Sequence, residues 1–149
     1  MTTLELLRQR APSLAGILDA SDGGQLRRIS SSIVHAVVER SGLTDPLVAE
    51  ALRHLSSSSF SHPDLQARAQ SLAEQLDLRY FDLQDLCESG KVAKAQVLEA
   101  FSKARAATAL ASAFGDVAPS AAAEVAYEAV CAFDDSDYIT GIAQSVLTR

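Results

Sequence analysis

Tryptophan is absent from this 149-residue chain, and aromatic residues make up only 5% of it. Hydrophobic residues still make up 48%, so disorder is not predicted. Cysteine is also scarce. Cys87 and Cys131 lie in apolar helical contexts and are predicted to be buried free thiols rather than a disulfide. At this length and apolar content, a single domain over residues 1–149 needs neither a disulfide nor a metal for stability.

Positive charge is in short supply, because 13 Lys and Arg stand against 19 Asp and Glu, which gives a net charge of −6. Nucleic acid and anionic membranes both require basic surface and are therefore not expected as partners, whereas a basic protein partner is electrostatically allowed. The sequence shows no recognisable signal peptide and no apolar run near the ~20 residues of a membrane span. A cytoplasmic location is therefore expected.

Alternation of period two is missing, whereas apolar residues recur every three or four positions almost throughout. This period predicts an all-α fold, an irregular bundle of six or seven helices that are mostly antiparallel neighbours. Asp45 starts one helix, and Ser61 or His62 caps the longest, predicted over residues 63–88. Serines 56–59 are predicted to form a loop. Residues 121–133 are apolar nearly all round, which is typical of a helix at the centre of a domain.

Motifs for catalysis and metal binding are weak or absent. His35 and Glu39, and Glu50 and His54, have i,i+4 spacing on two successive predicted helices. A helical wheel places the first pair almost opposite the packed stripe, so surface pairing is favoured over a metal site between the helices. Glycine-rich phosphate loops, Glu-x-x-His, His-Glu-x-x-His and Gly-x-Ser-x-Gly do not occur. The chain is therefore predicted not to be an enzyme and to have no cofactor or metal.

The most informative segment covers residues 76–88. Leu78 and Phe81 point away from the stripe with which this long helix packs, and at about 100° per residue they lie among acids. The predicted face consists of Asp77, Leu78, Phe81, Asp82, Asp85 and Glu88. Its acids oppose the helix dipole, which is locally unfavourable. Two interpretations stay open: a further helix, for example a terminal one, covers Leu78 and Phe81, or the face binds a protein partner.

Residues 100–114 and 122–129 together resemble uncharacterised α-helical proteins of high-GC bacteria. In those proteins an Ala-Arg-Ala-rich helix precedes a helix with a Glu-x-x-Tyr-Glu-Ala-like turn, here Glu124 to Ala129. The resemblance implies a helical bacterial protein, without an activity and without any functional residue. In the same stretch, Arg105 lies on a helix next to the one that carries Glu124 and Glu128. A partly buried pair and plain surface charges are both compatible with this pattern.

The functional hypothesis that follows is a small helical interaction module, an adaptor or immunity-type binding protein, that holds a protein partner on the acidic and apolar face. The alternative is a homo-oligomeric structural or accessory subunit in which the same face meets a second copy of the chain. A small ligand-binding bundle or enzyme is less favoured, because it requires polar groups that converge in a pocket.

Overall fold

The structure is a computed structural model that describes residues 1–57, 61–115 and 118–149, and every regular element in these ranges is helical. Eight helices are described: α1 (Thr3–Arg10), α2 (Pro12–Asp19), α3 (Gly23–Ser41), α4 (Pro46–Leu55), α5 (Pro63–Glu88), α6 (Lys94–Ser112), α7 (Pro119–Phe133) and α8 (Ser136–Leu147). The all-α prediction is confirmed, but the count of six or seven helices is too low. The N-terminal segment forms two separate helices, because Ala11 is non-helical (φ −144°) and Pro12 starts α2.

Local capping chemistry sets the helix boundaries. Asp45 accepts a hydrogen bond from the Leu47 amide at 3.0 Å, directly before Pro46. Of the two predicted caps for α5, it is His62 that accepts, through Nδ1, from the Leu65 amide at 3.1 Å. These groups satisfy amides that the first turn leaves without a partner.

One apolar core includes residues from all eight helices, and α7 lies at its centre. Helix α7 packs against α6, α3, α1, α2 and α8. Its buried residues are Ala and Val: Ala122, Ala123, Val125, Ala126, Ala129, Val130 and Ala132. Small side chains on nearly every side let five helices approach one, as the apolar character of this segment predicts.

Neighbours in sequence account for only part of the packing. Helices α5 and α6, α6 and α7, and α1 and α2 do pack together, but α3 packs chiefly against α7, α8 and α6 and only slightly against α4. Although successive helices were expected to pack as antiparallel neighbours, α3 and α4 therefore make only a minor contact. Helix α3 can pack against these three helices because it has eight buried residues, which form a wide buried side.

Among the described residues, no helix combines the length and the apolar character that a membrane crossing requires. The predicted serine loop is described only at its first two residues. Ser56 is the C-cap of α4, and Ser57 follows it. The remaining residues of the predicted loop, Ser58 and Ser59, lie outside the described ranges.

Candidate functional site

The far end of the α5–α6 hairpin has little cover from the rest of the molecule. Between Ala73 and Ala104, a stretch that the structure describes in full, Val97 is the only buried residue. Helix α5 packs extensively against α6 and to a smaller extent against α4. Residues 74–103 are called the arm below.

The arm extends beyond the bundle because α7 stops short of it. The Ser102 hydroxyl donates a hydrogen bond to the Ala132 carbonyl oxygen at 2.7 Å, one residue before α7 ends at Phe133. The chain then turns at Asp134, which has a left-handed φ of 50° and binds Arg10 at 2.5 Å. Residues 94–101 of α6 therefore lie beyond the end of α7, over about 12 Å at 1.5 Å per residue.

Arg105 fixes the base of the arm to the bundle. Its guanidinium donates to Asp77 Oδ1 of α5 at 2.5 Å and to Glu128 Oε2 of α7 at 2.7 Å, so one side chain of α6 joins three helices. Burial alone would lower the pKa of Arg105, but the hydrogen bonds and charges of the two carboxylates outweigh it and raise the pKa above its usual value. Of the two alternatives left open for this stretch, the partly buried pair is therefore present between Arg105 and Glu128, whereas Glu124 is exposed.

The arm carries most of the large exposed apolar side chains of the described residues. They are Leu78 (66% exposed), Phe81 (54%), Leu98 (56%) and Leu86 (37%), and outside the arm only Met1 and Leu147 belong to this group. Tyr80 links Phe81 to Phe101 of α6, with ring centroids 5.2 Å apart in both pairs. Arg105 lies 5.8 Å from the Phe101 ring centroid, so this aromatic row begins next to the arm's base.

The acids of the predicted face fall into two groups. Asp77 is half-buried and bound to Arg105, so it belongs to the base of the arm. Asp82, Asp85 and Glu88 are exposed and form no ion pair within the described part of the chain. The structure therefore places an uncompensated acidic group beside Leu78 and Phe81.

The alternative in which another helix of the same chain covers Leu78 and Phe81 is wrong. Both side chains are more than half exposed, and neither α1 nor α8 packs extensively on α5. The terminal helices are used elsewhere, since α1 packs on α2 and α7, and α8 packs on α3, α2 and α7. Of the two interpretations of this face, only the protein-binding face is left open.

Leu98 is an apolar residue of this surface that the sequence pattern misassigns. The apolar spacing of Val92, Ala95, Leu98, Phe101 and Leu110 predicts one stripe along this helix. Leu110 is buried, but Leu98 is exposed and Val97, one residue before it, is buried instead. In α6 the core side is built mostly from alanines, such as Ala104, Ala107 and Ala111. Alanine occurs on all sides of this helix, so hydrophobicity alone does not show which side is buried.

The two His/Glu pairs do not come together. His35 Nε2 lies 3.1 Å from Ser56 Oγ, while Glu50 pairs with Arg68 at 3.4 Å and His54 stacks near Phe114 at 5.9 Å. In the described ranges, no group of three or more His, Cys, Asp or Glu side chains could hold a metal ion. Both cysteines are free and half-buried.

No family model, no curated protein and no solved structure matches the chain.

Proposed function

We propose that this protein is a small helical binding module, an adaptor or immunity-type protein, and that the arm is its docking surface for a partner protein. The observation that carries the proposal is the exposure of Leu78, Phe81 and Leu98 on a hairpin with a single buried residue. Apolar side chains rimmed by charge are the usual anatomy of an interaction hot spot. In this proposal the protein is not an enzyme and acts without cofactor, nucleic acid or membrane.

The shape of the surface favours a helical segment of the partner. On α6, Ser102 contacts the last turn of α7, and Leu98 follows one turn further out on the same side of the helix. A helix placed beyond Phe133 would therefore continue the packing that α7 begins, with Phe101, Tyr80 and Phe81 beside it. Amphipathic helices in apolar grooves are a common mode of peptide recognition.

The charge of the surface favours a basic segment. Asp82, Asp85 and Glu88 are exposed and unpaired within the described residues, on a chain whose net charge is already −6. Lysines or arginines that flank the apolar side of a partner helix would meet these carboxylates. Such charges raise the association rate more than the final affinity, and salt weakens their effect.

A second candidate, self-association, has its own supporting observation. Lys91 and Lys94 lie three and six residues after Glu88 at the tip of the arm, and both are exposed. If two copies packed their arms antiparallel across a two-fold axis, the lysines of one copy would lie near the acids of the other. In that case the arm serves a homo-oligomeric accessory or structural subunit.

The test uses a synthetic Leu/Lys peptide that forms an amphipathic helix, with a Leu/Glu peptide of the same pattern as the charge control. We expect the chain to bind the Leu/Lys peptide by fluorescence titration, with an affinity that falls by about tenfold or more in the triple variant Phe81→Ala, Asp85→Asn, Glu88→Gln. The matched control is Leu147→Ala, Glu39→Gln, Glu124→Gln, which removes one exposed apolar side chain and two acidic charges outside the arm. Circular dichroism checks that both variants fold.

Light scattering over a hundredfold range of concentration separates the two candidates. A constant monomer mass together with arm-dependent peptide binding supports the heterologous partner. A dimer that the arm variant abolishes and the control variant retains supports self-association instead. The proposal that the arm is a docking surface would be overturned if the chain were a monomer at every concentration and the unmodified chain, the arm variant and the control variant all bound the peptide equally. It would also be overturned if such a monomer and both variants did not bind the peptide at all.

A further inference from the structure

A groove of about 610 Å³ lies away from the arm, along one side of α3 and between the C-terminal ends of α4 and α8. Helix α3 contributes residues at positions 24, 27, 28, 31, 32 and 35, which are spaced as one face of a helix. The volume is in the range of small-molecule sites, which run from about 300 to 1,000 Å³. No residue of the arm lines it.

The charge of this groove is opposite to that of the chain. Arg27, Arg28, Arg149 and His35 line it, and none of the described residues that line it is Asp or Glu, although the chain has 19 of them. Arg28 forms no ion pair with any residue that the structure describes. A local basic concavity on an acidic protein attracts anions selectively, because the rest of the surface repels them.

The groove also offers hydroxyl donors. Ser31 and Ser32 are half-buried on α3 between the arginines and His35. The Ser56 hydroxyl donates to the Leu52 carbonyl oxygen at 3.1 Å, and its oxygen lies 3.1 Å from His35 Nε2. This contact holds the imidazole ring at the side of the groove.

Apolar residues form the floor. Leu55 and Val146 line the groove and are buried in the core of the molecule. A ligand can therefore place a charged group on the guanidinium and hydroxyl donors and a less polar part over these two side chains.

From this arrangement we propose that the groove binds a small phosphorylated molecule, with its phosphate group on Arg28 and the α3 serines. A phosphate presents three oxygens in a tetrahedral arrangement, which matches donors that come from several directions, and guanidinium groups bind it bidentately. A carboxylate, with two oxygens in a plane, would leave more of these donors without a partner. The site is separate from the docking surface proposed for the arm and does not depend on it.

The experiment is isothermal titration of the full chain with inorganic pyrophosphate and with AMP, and adenosine serves as the ligand without phosphate. We expect AMP to bind and adenosine to bind much more weakly. Added salt should weaken the binding of AMP. In Arg28→Gln, and separately in the Ser31→Ala, Ser32→Ala double variant, AMP affinity should fall by about tenfold or more, which corresponds to about 1.4 kcal/mol. Arg79→Gln, which removes an exposed arginine of the arm, is the matched control and should bind AMP like the unmodified chain.

Phosphatidylcholine vesicles containing phosphatidic acid test whether the phosphate belongs to a lipid headgroup. Binding to these vesicles without binding of AMP or pyrophosphate would overturn the small-molecule proposal. It would likewise be overturned if adenosine bound as well as AMP, if Arg28→Gln and Arg79→Gln lost affinity equally, or if none of the phosphates bound. Circular dichroism of each variant shows whether a loss of binding comes from a loss of fold.

Discussion

At the scale of single residues, Arg105 has the largest structural role that the described contacts reveal. It is half-buried and joins α5, α6 and α7 through two carboxylates. Arg105→Ala should lower the free energy of unfolding by about 2 kcal/mol, because it leaves two half-buried carboxylates without their cation. Urea unfolding measures this change.

The control for Arg105 is Arg79→Ala, an exposed arginine of α5, which should change stability by less than about 0.5 kcal/mol. If both variants lost the same stability, the three-helix junction would have no special role. A double-mutant cycle of Arg105→Ala with Glu128→Gln then isolates the interaction of the pair from the loss of packing.

Cys131 is the second residue with a testable chemical property. Burial raises the pKa of its thiol, and the nearby Arg10 guanidinium, 3.3 Å from Sγ, only partly opposes this. Cys131 should therefore react with a thiol reagent more slowly than in the unfolded chain, and its rate should rise only at a pH above the ordinary thiol range. Mass spectrometry after timed labelling at several pH values measures both effects.

The sign of the stability effect follows from the same shift. The pKa of the Cys131 thiol is higher in the folded chain than in the unfolded chain. The thiol therefore contributes to the free energy of unfolding in full below the unfolded pKa, and this contribution is lost as the pH rises through the folded pKa. Cys131→Ser should remove this decrease in the free energy of unfolding at alkaline pH and should leave the labelling of Cys87 unchanged. Labelling of Cys131 as fast in the folded chain as in urea would contradict the assignment.

At the scale of helices, boundaries were predictable and buried sides were less so. The start of α4 at Pro46 and both ends of α5 follow from caps and prolines, which act within a few residues. The buried side of α6 was not predictable from its apolar pattern, because alanines occur all round and Val97 and Leu98 are adjacent. Leu98 stays exposed because α7 ends before this turn of α6, and the alignment of α6 with α5 and α7 depends on contacts far away in sequence.

The candidate site shows the same division. That Leu78 and Phe81 point away from the α5 stripe could be predicted from helical geometry. That nothing in the chain covers them, and that Asp77 turns instead to Arg105, depends on the register between α5 and α6. The spacing of apolar residues in the sequence does not determine how α5 and α6 are aligned along each other.

The arm as an element should be less protected from local opening than the centre of the bundle, because it has one buried residue over 30 positions and α7 has seven over 15. We expect amides of residues 80–88 in α5 to exchange with deuterium at least about tenfold faster than amides of residues 125–131 in α7. Hydrogen exchange followed by mass spectrometry measures this difference. Equal protection of the two segments would show that the arm is packed against something else in solution, which the mass measured by light scattering would identify as a second copy.

At the scale of the whole molecule, charge is distributed unevenly in a way that the net value of −6 conceals. Acidic side chains collect on the outer side of α5, whereas a basic groove follows α3. The all-α class was predictable from the hydrophobic period alone. The groove was not, because its residues come from α3, α4 and α8, and their meeting depends on α3 packing against α8 rather than chiefly against its neighbour in sequence.

The single buried residue of the arm also has a thermodynamic consequence. A hairpin cut out at residues 74–103 would bury too little apolar surface to offset the entropy of ordering its chain, so the surface that carries Leu78, Phe81 and Leu98 exists only while the bundle holds its base. Recognition at the tip and folding of the whole chain are therefore linked equilibria. Any molecule that binds the tip draws the population towards the native state by mass action. Conversely, a change in the bundle core that lowers the folded fraction of the chain lowers the apparent affinity at the tip by the same factor, although the core does not contact that site.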